Sequence, residues 1–246
     1  MEKKGIEISN ANMGYKTQEN ELVILKNISL HLTAGELIGI AGINGSGKST
    51  LIRTICGLQP LLNGSVSLCG KQIDTIEREE RAKIISVVLT EKIGGFNLSC
   101  YDAIAMGRMP YTNLFGALGE EDKRIIERSI NECGLQEHRH KLLNELSDGL
   151  FQKTMIARCL AQETDIMLLD EPGAFLDYAA KHELFGRLKK LSELNNKCIL
   201  ISSHELDLLL KYCSKVLLVN ESGVELIPVQ EALANKTFRL ISGGYL

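Results

Sequence analysis

The sequence predicts an α/β fold with a mainly parallel sheet, an antiparallel β edge and an inserted α-helical lobe. Three observations carry that prediction. A Gly-rich loop stands between a short apolar strand and a helix within residues 36–58. Strand-like and helix-like stretches alternate from residue 165 to 227, which argues a parallel sheet. Between residues 91 and 161 no stretch reads as a buried strand, while an amphipathic helical pattern does occur there.

In chain order, residues 6–9 and 28–32 alternate apolar and polar, and read as antiparallel strands. Gly14, Tyr15 and Lys16 and the polar residues through Asn20 read as the loop between them. Residues 36–41 form a buried strand, and Leu51, Ile52, Ile55 and Leu58 then fall at helical spacing. Residues 62–68 read as a turn and a strand, and 84–89 as a strand buried on both faces. In 120–133, Ile125, Ile126, Ile130 and Cys133 make one apolar face, with acids in the first turn. A core strand at 165–170, a helix at 178–194, a strand at 197–202, a helix from 205 and strands at 215–220 and 224–227 follow. We expect one domain over 1–246, with a core of 1–90 and 162–234, a lobe of 91–161 and a tail of 235–246 that carries no legible motif.

The net charge of −3 gives no electrostatic case for nucleic acid as a partner. The first residues hold no apolar segment of signal-peptide type, so none is expected. The longest apolar runs, 166–169 and 216–219, are far too short to span a bilayer. Seven cysteines without a C-x-x-C pair predict reduced, mostly buried thiols that act as small hydrophobes.

The chemistry concentrates in three stretches. Gly42-Ile43-Asn44-Gly45-Ser46-Gly47-Lys48-Ser49-Thr50 matches the phosphate-binding loop pattern. Its glycines let the backbone curl so that N–H groups converge on phosphate oxygens. Lys48 brings a point charge to the β- and γ-phosphates, and the Ser49 hydroxyl can ligate Mg²⁺. The helix beginning there adds the positive end of its dipole. Ile166-Met167-Leu168-Leu169-Asp170-Glu171 is an apolar run ending in two acids, and fits a core strand beside that loop. Asp170 can hold Mg²⁺ through water, and Glu171 can orient the attacking water. Leu146-Ser147-Asp148-Gly149-Leu150-Phe151-Gln152 precedes a helix with Met155, Ile156, Cys159 and Leu160 on one side, and Ser147 is a good N-cap.

That last stretch resembles the signature loop of ATP-binding cassette (ABC) ATPases, usually written LSGGQ. Ser202-Ser203-His204-Glu205 resembles the family's switch histidine, and Ala174-Phe175-Leu176-Asp177 its D-loop. Tyr15 stands where the family places an aromatic that stacks on adenine. The resemblance runs from about Ile6 to Ile227. It implies a P-loop NTPase core with ATP and Mg²⁺ as ligands, and Glu171 and His204 as catalytic residues. It further implies a head-to-tail dimer in which the Ser147, Asp148, Gly149 and Asp177 region of one copy meets the nucleotide held by Lys48 of the other. This chain departs from the family at four places. Thr90 stands where a glutamine usually reaches Mg²⁺, and is too short to copy that reach, with Glu91 next to it. Asp148 replaces Gly and Leu150 replaces Gln in the signature. Gly173 replaces the usual Thr after Glu171-Pro172.

A cassette without membrane spans implies a separate integral-membrane permease, and indirectly a substrate-binding protein, with the chain at the cytoplasmic face of the membrane. Gly107-Arg108-Met109-Pro110-Tyr111 resembles importers of iron chelates, haem and cobalamin. Two alternatives stay open: a soluble ABC ATPase without a permease, such as an iron–sulfur assembly subunit, and a nucleotide-responsive binding module with negligible turnover. The segment 90–101, with Phe96 and Leu98, is the expected permease contact.

Overall fold

Short strands buried on both faces build the centre of the molecule. The computed structural model describes residues 5–16, 20–89, 97–113, 116–220 and 223–241. Strands β1 (Gly5–Lys16) and β2 (Glu21–Thr33) precede β3 (Glu36–Ala41), which leads to helix α1 (Lys48–Ile55). Strands β4 (Asn63–Leu68) and β5 (Lys71–Gln72), helix α2 (Arg78–Ile84) and β6 (Ile85–Val88) follow. The lobe supplies α3 (Cys100–Ala105), α4 (Glu120–Glu132) and α5 (Asp148–Ala161). The core resumes with β7 (Ile166–Leu169), α6 (Tyr178–Asn195), β8 (Cys198–Ser202), α7 (Leu206–Tyr212), β9 (Lys215–Asn220) and β10 (Gly223–Pro228). Two short helices, α8 (Val229–Ala232) and α9 (Lys236–Ile241), end the described chain.

One sheet is antiparallel, in the order β2-β1-β4-β5; the other runs β10-β9-β3-β8-β7-β6. In the second, β9, β3, β8, β7 and β6 are parallel and β10 is an antiparallel edge. Its strands turn alternate residues to two cores. Ile38, Ile40, Leu168, Leu200 and Leu217 face the antiparallel sheet and α1. Leu37, Met167, Ile199, Ile201 and Leu218 face the core shared with α5, α6 and α7. A third cluster, with Ile104, Ile125, Ile126 and Ile130, holds α3, α4 and α5 together.

Two expectations need correction. Gly14, Tyr15 and Lys16 continue β1 rather than forming a loop, pairing with Val23, Leu22 and Glu21. The tail read as blank contains α9, whose Phe238 is fully buried in the second core.

Candidate functional site

The parallel pairings of β3 with β8 and of β8 with β7 bring three carboxyl ends to one edge. Open α/β sheets bind ligands at that edge. The Gly-rich loop leaves β3, Asp170 and Glu171 leave β7, and Ser203 and His204 leave β8.

Gly45 and Gly47 have φ of +78° and +104°, which side chains rarely adopt, and Gly47 is the residue before α1. Gly42 is needed for another reason: a Cβ there would lie 2.5 Å from the Val219 carbonyl oxygen, so β9 itself excludes one. Lys48 is buried, and its Nζ donates to Gly42 O at 2.8 Å and Ile43 O at 3.2 Å. Burial lowers its pKa, while the charges of Glu171 and Asp170 pull it back up. The Ser46 hydroxyl is buried and has no hydrogen-bond partner among the described residues, and a phosphate oxygen would supply one. Ser49 is exposed on the first turn of α1, while Thr50 is buried. Ile43 and Asn44 form the exposed crest of the loop. The loop therefore fits a nucleotide phosphate chain: an ammonium, an orphan hydroxyl and a helix start converge there.

Asp170 is buried, and the Ser202 hydroxyl donates to its Oδ1 at 2.7 Å. The same hydroxyl accepts from Glu171 N–H at 2.8 Å. Glu171 has φ of +49°, an unusual conformation for a side-chain residue, and this turns it out of line with β7. Its Oε1 lies 2.6 Å from His204 Nε2. Ser49 and Asp170 are the side chains that would hold a Mg²⁺ ion, which would supply charge neutralisation to a bound phosphate chain. Sequence reasoning assigned no role to Ser202; a small hydroxyl at a strand end is too common to signal one.

Ser147 caps α5, accepting from Leu150 N–H at 3.4 Å, and Asp148 opens that helix. Asp177 caps α6, accepting from Ala180 N–H at 2.8 Å. The two helix starts adjoin: a Cβ on Gly149 would lie 3.1 Å from the Phe175 carbonyl oxygen. Ser147, Asp148 and Asp177 are all exposed. Tyr15 is half-exposed, and its hydroxyl is 3.4 Å from Thr50 Oγ1, so the ring stands at the end of the phosphate loop. Thr90 and Glu91 lie outside the described residues.

The family described as ABC transporter matches residues 25–174. An uncharacterized ABC transporter ATP-binding protein of Methanocaldococcus jannaschii is 39% identical over 219 residues, covering 89% of this chain and 74% of the relative. A petrobactin import ATP-binding protein of Bacillus anthracis is 31% identical, covering 89% of this chain and 81% of that one. Among solved structures, a dimeric bacterial ABC transporter cassette superposes with a TM-score of 0.81 at 25% identity, over 91% of this chain and 98% of the other.

Proposed function

The chain belongs to the ABC transporter family as one of its ATPase cassettes, and from that premise we propose that it energises an importer whose permease is a separate protein. The observation that carries the hydrolytic reading is the contact of Glu171 with His204 at the carboxyl ends of β7 and β8. Glu171 polarises the water, and His204 holds the carboxylate while charge develops on the transferred phosphoryl group. Lys48, the loop N–H groups and the Ser46 hydroxyl grip the phosphates, and the Tyr15 ring stacks on the base. Mg²⁺, held by Ser49 and Asp170, would neutralise charge between the β- and γ-phosphates.

In this reading the active assembly is a head-to-tail dimer. Exposed Ser147, Asp148 and Asp177 of one copy, with half-buried Gly149 beside them, close over the nucleotide bound by Lys48 of the other. The permease carries the dimer at the cytoplasmic face of the membrane. Among the described residues no helix is long and apolar enough to cross a membrane, which is in keeping with that division of labour. The cargo proposed is an iron chelate or siderophore, then haem or cobalamin. The petrobactin relative supports the first choice, while others named for manganese transport make a bare divalent metal the competitor to test. Co-purification with a membrane protein separates this reading from a soluble ABC ATPase.

Glu171→Gln keeps the shape and removes the charge. It should bind ATP normally, turn over roughly 10²-fold more slowly, and accumulate as an ATP-bound dimer. Phosphate release and gel filtration with ATP read the two effects. Wild-type turnover would remove Glu171 from the reaction.

A further inference from the structure

We propose that Lys181 is a positioning residue for hydrolysis: its ion pair with Glu205 locks the loop carrying His204 to the start of α6. The proposal rests on the reading of Glu171 and His204 as the hydrolytic pair.

Lys181 lies in the first turn of α6, where its N–H donates to Asp177 O at 3.0 Å. Its ammonium pairs with the carboxylate of Glu205, the residue directly after His204. The Lys181 side chain is largely covered, at 17% exposure, so the pair is shielded from solvent on its cationic side. Glu205 is itself tied at both backbone ends. Its N–H donates to Ser203 Oγ at 3.0 Å, and its carbonyl accepts from Leu208 N–H at 3.2 Å. Fixing Glu205 therefore fixes the direction in which His204 leaves β8.

The Lys181 stem also lies against the preceding turn. A Cβ built on Gly173 would lie 3.4 Å from Lys181 Cγ and 3.9 Å from its Cδ and Cε. The stem thus runs across the bare face of Gly173, two residues after Glu171. A branched side chain at 173 would need the space this stem fills. One lysine therefore touches all three segments: the turn after Glu171, the start of α6 at Asp177, and the loop of His204. The Glu171–His204 contact of 2.6 Å is short enough that a displacement of about 1 Å would break it.

The test is steady-state ATPase kinetics on the purified full chain. Lys181→Met keeps the stem and removes the charge. It should lower kcat about tenfold with KM for ATP within about twofold. The reversed pair, Lys181→Glu with Glu205→Lys, should recover at least half of the lost kcat. Gly173→Thr should lower kcat by crowding the stem, and should cost little more when added to Lys181→Met, because both act on one contact. Wild-type kcat in Lys181→Met would overturn the proposal. So would a loss that the reversed pair does not restore, or equal losses in kcat and ATP affinity, which mark general scaffolding. Glu171→Gln in the same assay keeps the two readings apart. If it retains turnover, the hydrolytic reading falls; if it loses turnover while Lys181→Met does not, only the present inference falls.

Discussion

Ser202 is the residue on which two acids converge, since its one hydroxyl donates to Asp170 and accepts from Glu171 N–H. Ser202 is fully buried, so removing the oxygen takes one hydrogen bond from the buried Asp170 carboxylate and one from Glu171 N–H. Ser202→Ala should therefore cost about 1–3 kcal/mol of stability. Turnover should fall further than ATP affinity does, since Glu171 loses its backbone anchor. Urea denaturation and phosphate release measure the two effects, and wild-type values in both would mean that another group satisfies them. The sequence makes Lys48, Asp170, Glu171 and His204 legible because their spacing and order form a pattern. Ser202 has no such pattern: its role depends on β8 lying next to β7, a pairing absent from residue spacing. The same holds for Gly42, where the motif suggests room for phosphate and the neighbouring strand β9 imposes the stricter limit.

Elements were legible where the sequence showed either an unbroken apolar run or one helical period. The strands β3, β7, β8 and β9 sit close to where their short apolar runs place them, and helix α4 where helical spacing does. Strand β1 hid its second half because its register shifts between Ile8 and Ala11, and twice more by Gly14, which breaks the alternation. Helix α2 has no buried residue and so no apolar stripe to read. Helix α3 announces itself only through the Ser99–Asp102 capping box. The segment Met106–Tyr111 is a 3₁₀ helix packed against α5. Buried Arg108 joins Asp122, Glu163 and the Ala161 carbonyl, and its guanidinium lies over the Tyr111 ring at 4.1 Å. A Cβ on Gly107 would stand 2.4 Å from the Arg158 carbonyl oxygen, a backbone atom of α5. Gly107→Ala must then push the 3₁₀ segment off α5 at a cost of about 1–3 kcal/mol. A lowered melting temperature is the expected reading, and an unchanged one would show that the segment shifts freely.

At the scale of the whole molecule, the proposed coupling to a permease asks for a surface shared by core and lobe. The segment 90–96, including Phe96, lies outside the described residues, and Leu98 is half-buried with its carbonyl accepting from Leu143 N–H. That hydrogen bond ties the Leu98 backbone to its own lobe. A groove of about 560 Å³ meets that requirement, since Leu58, Arg78 and Arg81 of the core face Met106, Met109 and Pro110 of the lobe across it. Leu58 and Met109 are 61% and 60% exposed, so neither holds the fold together. Methionine adapts its shape to a partner, and the two arginines favour an acid on it. A short cytoplasmic helix of the permease, apolar on one face and acidic at one end, fits that lining. Leu58→Ser with Met109→Ser should lower uptake and weaken co-purification with the permease, while the isolated subunit keeps its basal ATPase and melting temperature. Arg81→Glu should weaken assembly further by repelling the acid. Unaltered uptake and assembly in the double variant would place the contact elsewhere, and a drop in melting temperature would assign Leu58 and Met109 to packing instead.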